Sequence, residues 1–106
     1  MQLPQQIEFM NQKWSIRTAL HRELEDCVGQ CDPKTNTIII DKNMPDDVLV
    51  QTLLHELTHV IEMTLQLNLT EQQVDVLATG WLHLLRTNPQ LVKTITQKEL
   101  KDAIRT

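Results

Sequence analysis

The sequence predicts an α+β fold: a small, mainly antiparallel sheet of three to four strands, then a long helix, a second helix and a short C-terminal helix. Three observations carry this. Apolar residues up to residue 41 alternate with polar ones, and from Asn43 they recur every three to four positions. Turn chemistry interrupts the first part, and helix-capping pairs interrupt the second.

Ile7 and Phe9 alternate with polar neighbours, Asn11-Gln12 suits a turn, and Trp14, Ile16, Thr18 and Leu20 alternate again. The charged stretch His21–Asp26 reads as a short helical or loop connection. Val28–Cys31 and Thr37–Asp41 flank Asp32-Pro33-Lys34-Thr35-Asn36, a run rich in turn formers. Thr37-Ile38-Ile39-Ile40 is the strongest strand signal. These pieces make two hairpins, with the edge strand expected at 37–41.

Pro45 suits a first helical turn, and Asp46 and Asp47 complement its positive end. Leu49, Leu53, Leu57, Val60 and Ile61 mark a helix over about 45–66, and Val50, Leu54, Met63 and Leu65 widen its apolar surface until most sides are buried. Asn68-Leu69-Thr70 breaks the period. Thr70 with Gln73 forms a capping box that starts a second helix near Glu71, with Val74, Leu77, Ala78, Trp81, Leu84 and Leu85 as its apolar face. Asn88-Pro89 ends it, and Thr96 with Glu99 announces a terminal helix carrying Leu100 and Ile104 on one side.

The 106 residues suffice for a single domain, 1–106, with one core. Aromatics are scarce (Trp14, Trp81, Phe9, no tyrosine), so Leu, Ile and Val must fill it. A net charge of −4 with mixed signs gives no footprint for nucleic acid, and no apolar run spans a bilayer. Residues 1–10 carry no signal-peptide pattern, which favours a cytoplasmic protein. In that compartment Cys27 and Cys31 are expected as reduced, half-buried strand residues; their spacing, with His21, matches no standard zinc set.

The chemistry concentrates in His55-Glu56-Leu57-Thr58-His59. One helical turn separates the two histidines, so both imidazoles leave the same face and can bind one ion. Glu56 is rotated about 100° from His55 around the helix axis, which lets its carboxylate reach a water on that ion without capping it. Zinc would lower the pKa of the water toward ~7, and Glu56 would accept its proton as the water attacks a carbonyl. The bland alternative is a solvent-facing polar ridge of Gln51, His55, Thr58 and Glu62. A catalytic zinc takes three protein ligands and keeps one position open. The second helix offers Glu71 and Asp75, four apart and on one face. Glu71, with the longer reach, is expected as the third ligand and Asp75 as hydrogen-bond acceptor for a histidine ring; the reverse is open, and Glu62 is a weaker candidate on the same rigid helix.

Leu53-Leu54-His55-Glu56-Leu57-Thr58-His59, followed by Glu71-Gln72-Gln73-Val74-Asp75-Val76-Leu77-Ala78, resembles the active-site helices of gluzincin-type metallopeptidases. Within them it is most similar to small ImmA/IrrE-like and minigluzincin proteins, many encoded by phages. The match covers about residues 28–89. The resemblance implies a sheet before the zinc helix whose edge strand binds an extended peptide, a glutamate on the next helix as third ligand, and an Asp or Asn four residues later as its companion. Two departures stand out. The interval from His59 to Glu71 is shorter than in larger gluzincins, and the Tyr or His that stabilises the oxyanion in many of them has no tyrosine counterpart here, leaving His83 and His21 as candidates.

The expected function is therefore zinc-dependent hydrolysis of peptide bonds in a peptide or protein substrate, as an endopeptidase. The alternative is a catalytically weak or inactive metallopeptidase-fold protein serving as a regulatory or protein-binding module. A metal-free helical module pairing through Leu100 and Ile104 is a third reading, and the sequence leaves the oligomeric state open.

Overall fold

In a computed structural model, which describes residues 2–97, four strands come first and three α-helices follow. The strands are β1 (Gln6–Phe9), β2 (Gln12–Ala19), β3 (Gly29–Asp32) and β4 (Thr37–Asp41), with a 3₁₀ turn at His21–Leu24 between β2 and β3. The helices are α1 (Asp46–Thr64), α2 (Glu71–Thr87) and α3 (Pro89–Thr96). The fold is α+β, as the change of period indicates.

Both expected hairpins form. Met10 and Asn11, at φ 50° and 67°, make the β1–β2 turn, and Phe9 pairs with Gln12. The turn thus sits one residue earlier than Asn11-Gln12, because a two-residue hairpin loop needs positive φ at both central positions. Between β3 and β4, Asp32 accepts hydrogen bonds from the Lys34 amide at 2.9 Å and the Thr35 hydroxyl at 3.1 Å, and Asn36 takes φ 50°.

The hairpins join through β2 and β4, which run parallel, and the sheet order is β1-β2-β4-β3. This corrects the position of the edge strand. Residues 37–41 are interior, paired on both sides, and the edges are β1 and, beside β4, β3. The Ile38-Ile39-Ile40 run fits that interior place, where both faces of a strand find cover. Ile38 and Ile40 are fully buried, each stabilising the fold by roughly 1.5–3 kcal/mol. Trp14, Ile16, Leu49 and Val60 complete the central cluster, and the Trp14 indole N–H has no hydrogen-bond partner among the described residues. In β2 the alternation holds at Trp14 and Ile16, then gives way: Thr18 is exposed and Ala19 is buried on the opposite face.

Helix α1 lies across β3 and β4, and α2 packs on α1. No residue from Gln51 to Val60 is exposed, but Ile61, Met63 and Leu65, expected on the buried surface, are exposed, so the burial stops short of the helix's last turn. The capping box of α2 is present: Thr70 Oγ1 accepts from the Gln73 amide at 3.1 Å, and Gln73 Oε1 accepts from the Thr70 amide at 2.9 Å. The apolar face of α2, however, is only partly covered. Val74 and Ala78 are buried, whereas Leu77, Trp81 and Leu84 are exposed, because no further layer lies over them among the described residues. Pro89 does end α2, but it also stands at the first turn of α3, a helix not expected at 89–96. Thr96 is the last residue of α3 and donates its hydroxyl to the Val92 carbonyl at 2.8 Å; the terminal helix expected after it lies outside the described residues. Glu99, Leu100 and Ile104 lie outside the described residues.

Candidate metal centre

Mid-helix on α1, His55 and His59 sit one turn apart with ring centroids 5.0 Å from each other. Glu71 enters from the first turn of α2, where an acidic residue complements the helix dipole. Its two carboxylate oxygens divide between the rings, Oε2 at 3.1 Å from His55 Nε2 and Oε1 at 2.7 Å from His59 Nε2. One ligand atom from each of the three residues falls within 4.8 Å of the others. They are the one such group among the described residues.

The far nitrogens are also engaged. His55 Nδ1 lies 3.3 Å from Asp75 Oδ1, and His59 Nδ1 lies 2.7 Å from Glu62 Oε1. A carboxylate at Nδ1 can hold a proton there, which would leave each Nε2 to an ion seated between it and Glu71, the arrangement a metal-ligating imidazole needs. Two nitrogens and a carboxylate are a donor set that fits zinc, and the residues present meet that requirement. Asp75 thus sits at a ring's outer nitrogen and Glu71 at the convergence point. Glu62, weighed above as a ligand, stands behind His59; its spacing of three on the same helix is the signal that it reaches the near side of the ring. The His59 contact and the Leu69 amide together hold its carboxyl below the usual range.

Glu56 is buried beside this group and lines the same cleft. Burial pushes its carboxyl pKa up, His55 and His59 pull it back, and Glu71 adds to the rise. Space for it depends on Gly29 at the start of β3. A Cβ there would come within 2.6 Å of Thr52 Cγ2 and 3.1 Å of Glu56 Oε2, so only glycine lets the edge strand lie this close to α1.

The cleft measures about 1020 Å³ and runs between β3 with its preceding turn, one flank of α1, and the start of α2. His55, Glu56, His59, Glu71 and Asp75 all face it. Cys31 borders it from β3, half-buried as expected; burial, with Glu56 nearby, pushes its thiol up to about 12, so it remains protonated. Cys27 is exposed in the turn before β3 and is not a strand residue. Both cysteines are free thiols, and His21 joins neither: its Nδ1 pairs with Asp41 Oδ2 at 2.8 Å. That contact and the Asn43 amide hold the buried Asp41 carboxyl below its usual range, the amide more strongly. His83 is exposed on α2. Neither His21 nor His83 lines the cleft, so neither candidate for the oxyanion stands near Glu56.

No helix among the described residues is long and apolar enough to cross a membrane. Compared with models of known protein families, with curated proteins and with solved structures, the chain matches none.

Proposed function

We propose that the protein is a zinc-dependent endopeptidase, with His55, His59 and Glu71 holding the ion, Glu56 as general base, and a peptide or protein segment as substrate. One observation carries the reading: two Nε2 atoms and a carboxylate converge beside a buried glutamate, on the wall of an open cleft. Zinc bound there supplies Lewis acidity, bringing a water's pKa toward neutrality and polarising the scissile carbonyl. Glu56, desolvated and so a stronger base than a surface carboxylate, would accept the proton of the attacking water and pass it to the departing amine. Asp75 and Glu62 keep the imidazoles in the tautomer that leaves Nε2 free. The edge of β3, which borders the cleft, can add an extended substrate strand by main-chain hydrogen bonds. Free thiols suit the cytoplasm as the compartment.

Glu56→Gln separates the roles. The variant is expected to bind zinc as tightly as the parent while peptide cleavage falls by at least ~100-fold, the lower range for loss of a general base. Cleavage retained in that variant refutes the mechanism. One observation favours a second reading, a protein-binding module on a metallopeptidase scaffold: no tyrosine or histidine faces the cleft as an oxyanion donor beyond the two ligand residues. Stoichiometric zinc, a bound partner and no turnover on any peptide in the parent protein would select it.

A further inference from the structure

We infer that Glu62 is a positioning residue that ties the ring of His59 to the seat of α2, so that the second histidine and Glu71 are set by one side chain; its role toward zinc rests on the reading above. Three bonds converge on this residue. Its Oε1 lies 2.7 Å from His59 Nδ1, and its Oε2 accepts from the Leu69 amide at 3.0 Å. Its main-chain carbonyl accepts from the Leu67 amide at 2.8 Å, while Gln66 adopts φ 59°. This last pair is the Schellman closure of α1, with Gln66 in the left-handed place that ends the helix.

The consequences follow from where Leu69 lies. It precedes Thr70, the N-cap of α2, and stands two residues before Glu71. Holding Leu67 and Leu69 fixes where the chain leaves α1 and where α2 begins. The same carboxylate fixes the proton of His59 on Nδ1. The side chain of Glu62 is only 13% exposed, so water competes weakly for either bond. Asp75 does for His55 only the second of these tasks, meeting the ring at Nδ1, and from the exposed helix.

The test compares Glu62→Gln and Glu62→Ala in the full chain. A glutamine keeps a carbonyl oxygen for the Leu69 amide but offers an N–H to His59 Nδ1, which moves the ring proton to Nε2 and blocks the metal-facing atom. Glutamine should therefore preserve slow amide exchange at Leu69 while zinc affinity, measured by chelator competition, falls roughly 10–100-fold. Alanine should accelerate Leu69 exchange and weaken zinc further. Nitrogen-15 NMR reads the tautomer directly in metal-free protein carrying Glu71→Ala, at a pH where the nitrogen shifts themselves show a neutral ring. It should show His59 with its proton on Nδ1, and on Nε2 once Glu62→Gln is added. The inference is overturned if the tautomer does not change, if Leu69 exchange in the alanine variant matches the parent, or if both variants hold zinc within about threefold of it. Should the parent bind no zinc, the metallopeptidase reading fails, and the tautomer and exchange results decide the tie by themselves.

Discussion

Helices α1 and α2 are similar in length, 19 and 17 residues, and each brings acidic and apolar groups to the same place, yet their surroundings differ. Between Gln51 and Val60 every residue of α1 is at least half-buried. On α2 only Val74 and Ala78 are buried, and the side chains of Glu71 and Asp75 are 74% and 63% exposed. The site therefore joins a fixed half to a lightly seated one. Polar groups of α1 between Gln51 and Val60 are largely desolvated, so changing them alters stability and chemistry together. Polar groups on α2 are solvated, so changing them alters chemistry alone.

The strongest test of that contrast is Glu71→Ala. Zinc affinity should fall by more than about 100-fold, beyond the usual cost of losing an outer partner, while the metal-free melting temperature stays within about 2 °C of the parent. A large loss of metal-free stability would mean that α2 is held by its acidic residues after all. Next comes Val60→Ala on α1, which deletes two methyl groups at a fully buried position and should cost about 2 kcal/mol by urea unfolding.

A smaller effect comes from Glu56. In metal-free protein its folded pKa lies above the unfolded value of about 4.3, so wild type loses stability as pH rises through that value and on through the folded one. Glu56→Gln cannot ionise. With chelator present it should melt a few degrees above wild type at pH 7, and the gap should close below about pH 4. An unchanged gap across that range would remove desolvation as the cause. The smallest change expected is Trp81→Ala. Although tryptophan is the largest side chain, this one is half exposed on α2, and its loss should stay within about 0.5 kcal/mol. If it costs more than Val60→Ala, the division between the helices is wrong.

What the sequence made legible follows the reach of each signal. The histidine pair and Glu56 were readable because helical periodicity alone decides which side chains share a face. The Thr70–Gln73 cap was readable for the same local reason. The edge strand was misplaced because the parallel pairing of β2 with β4 joins segments about twenty residues apart, and alternation within a strand says nothing about its neighbours. The apolar pattern on α2 located a face, but a pattern carries no information on whether anything covers it. Glu62 was weighed only as a weaker ligand because at a spacing of three it can either meet a metal or brace a ring, and only the ring's orientation separates the two.

The two tryptophans fall one to each side of this division. Trp14 is 2% exposed in the sheet–helix core, and Trp81 is 50% exposed on α2. Intrinsic fluorescence from the two indoles is thus spectrally separable: a blue, quencher-resistant emission from the interior and a red, iodide-accessible one from the periphery. The chain carries its own pair of optical reporters, and single Trp→Phe replacements would let the loosening of either half be followed without a dye.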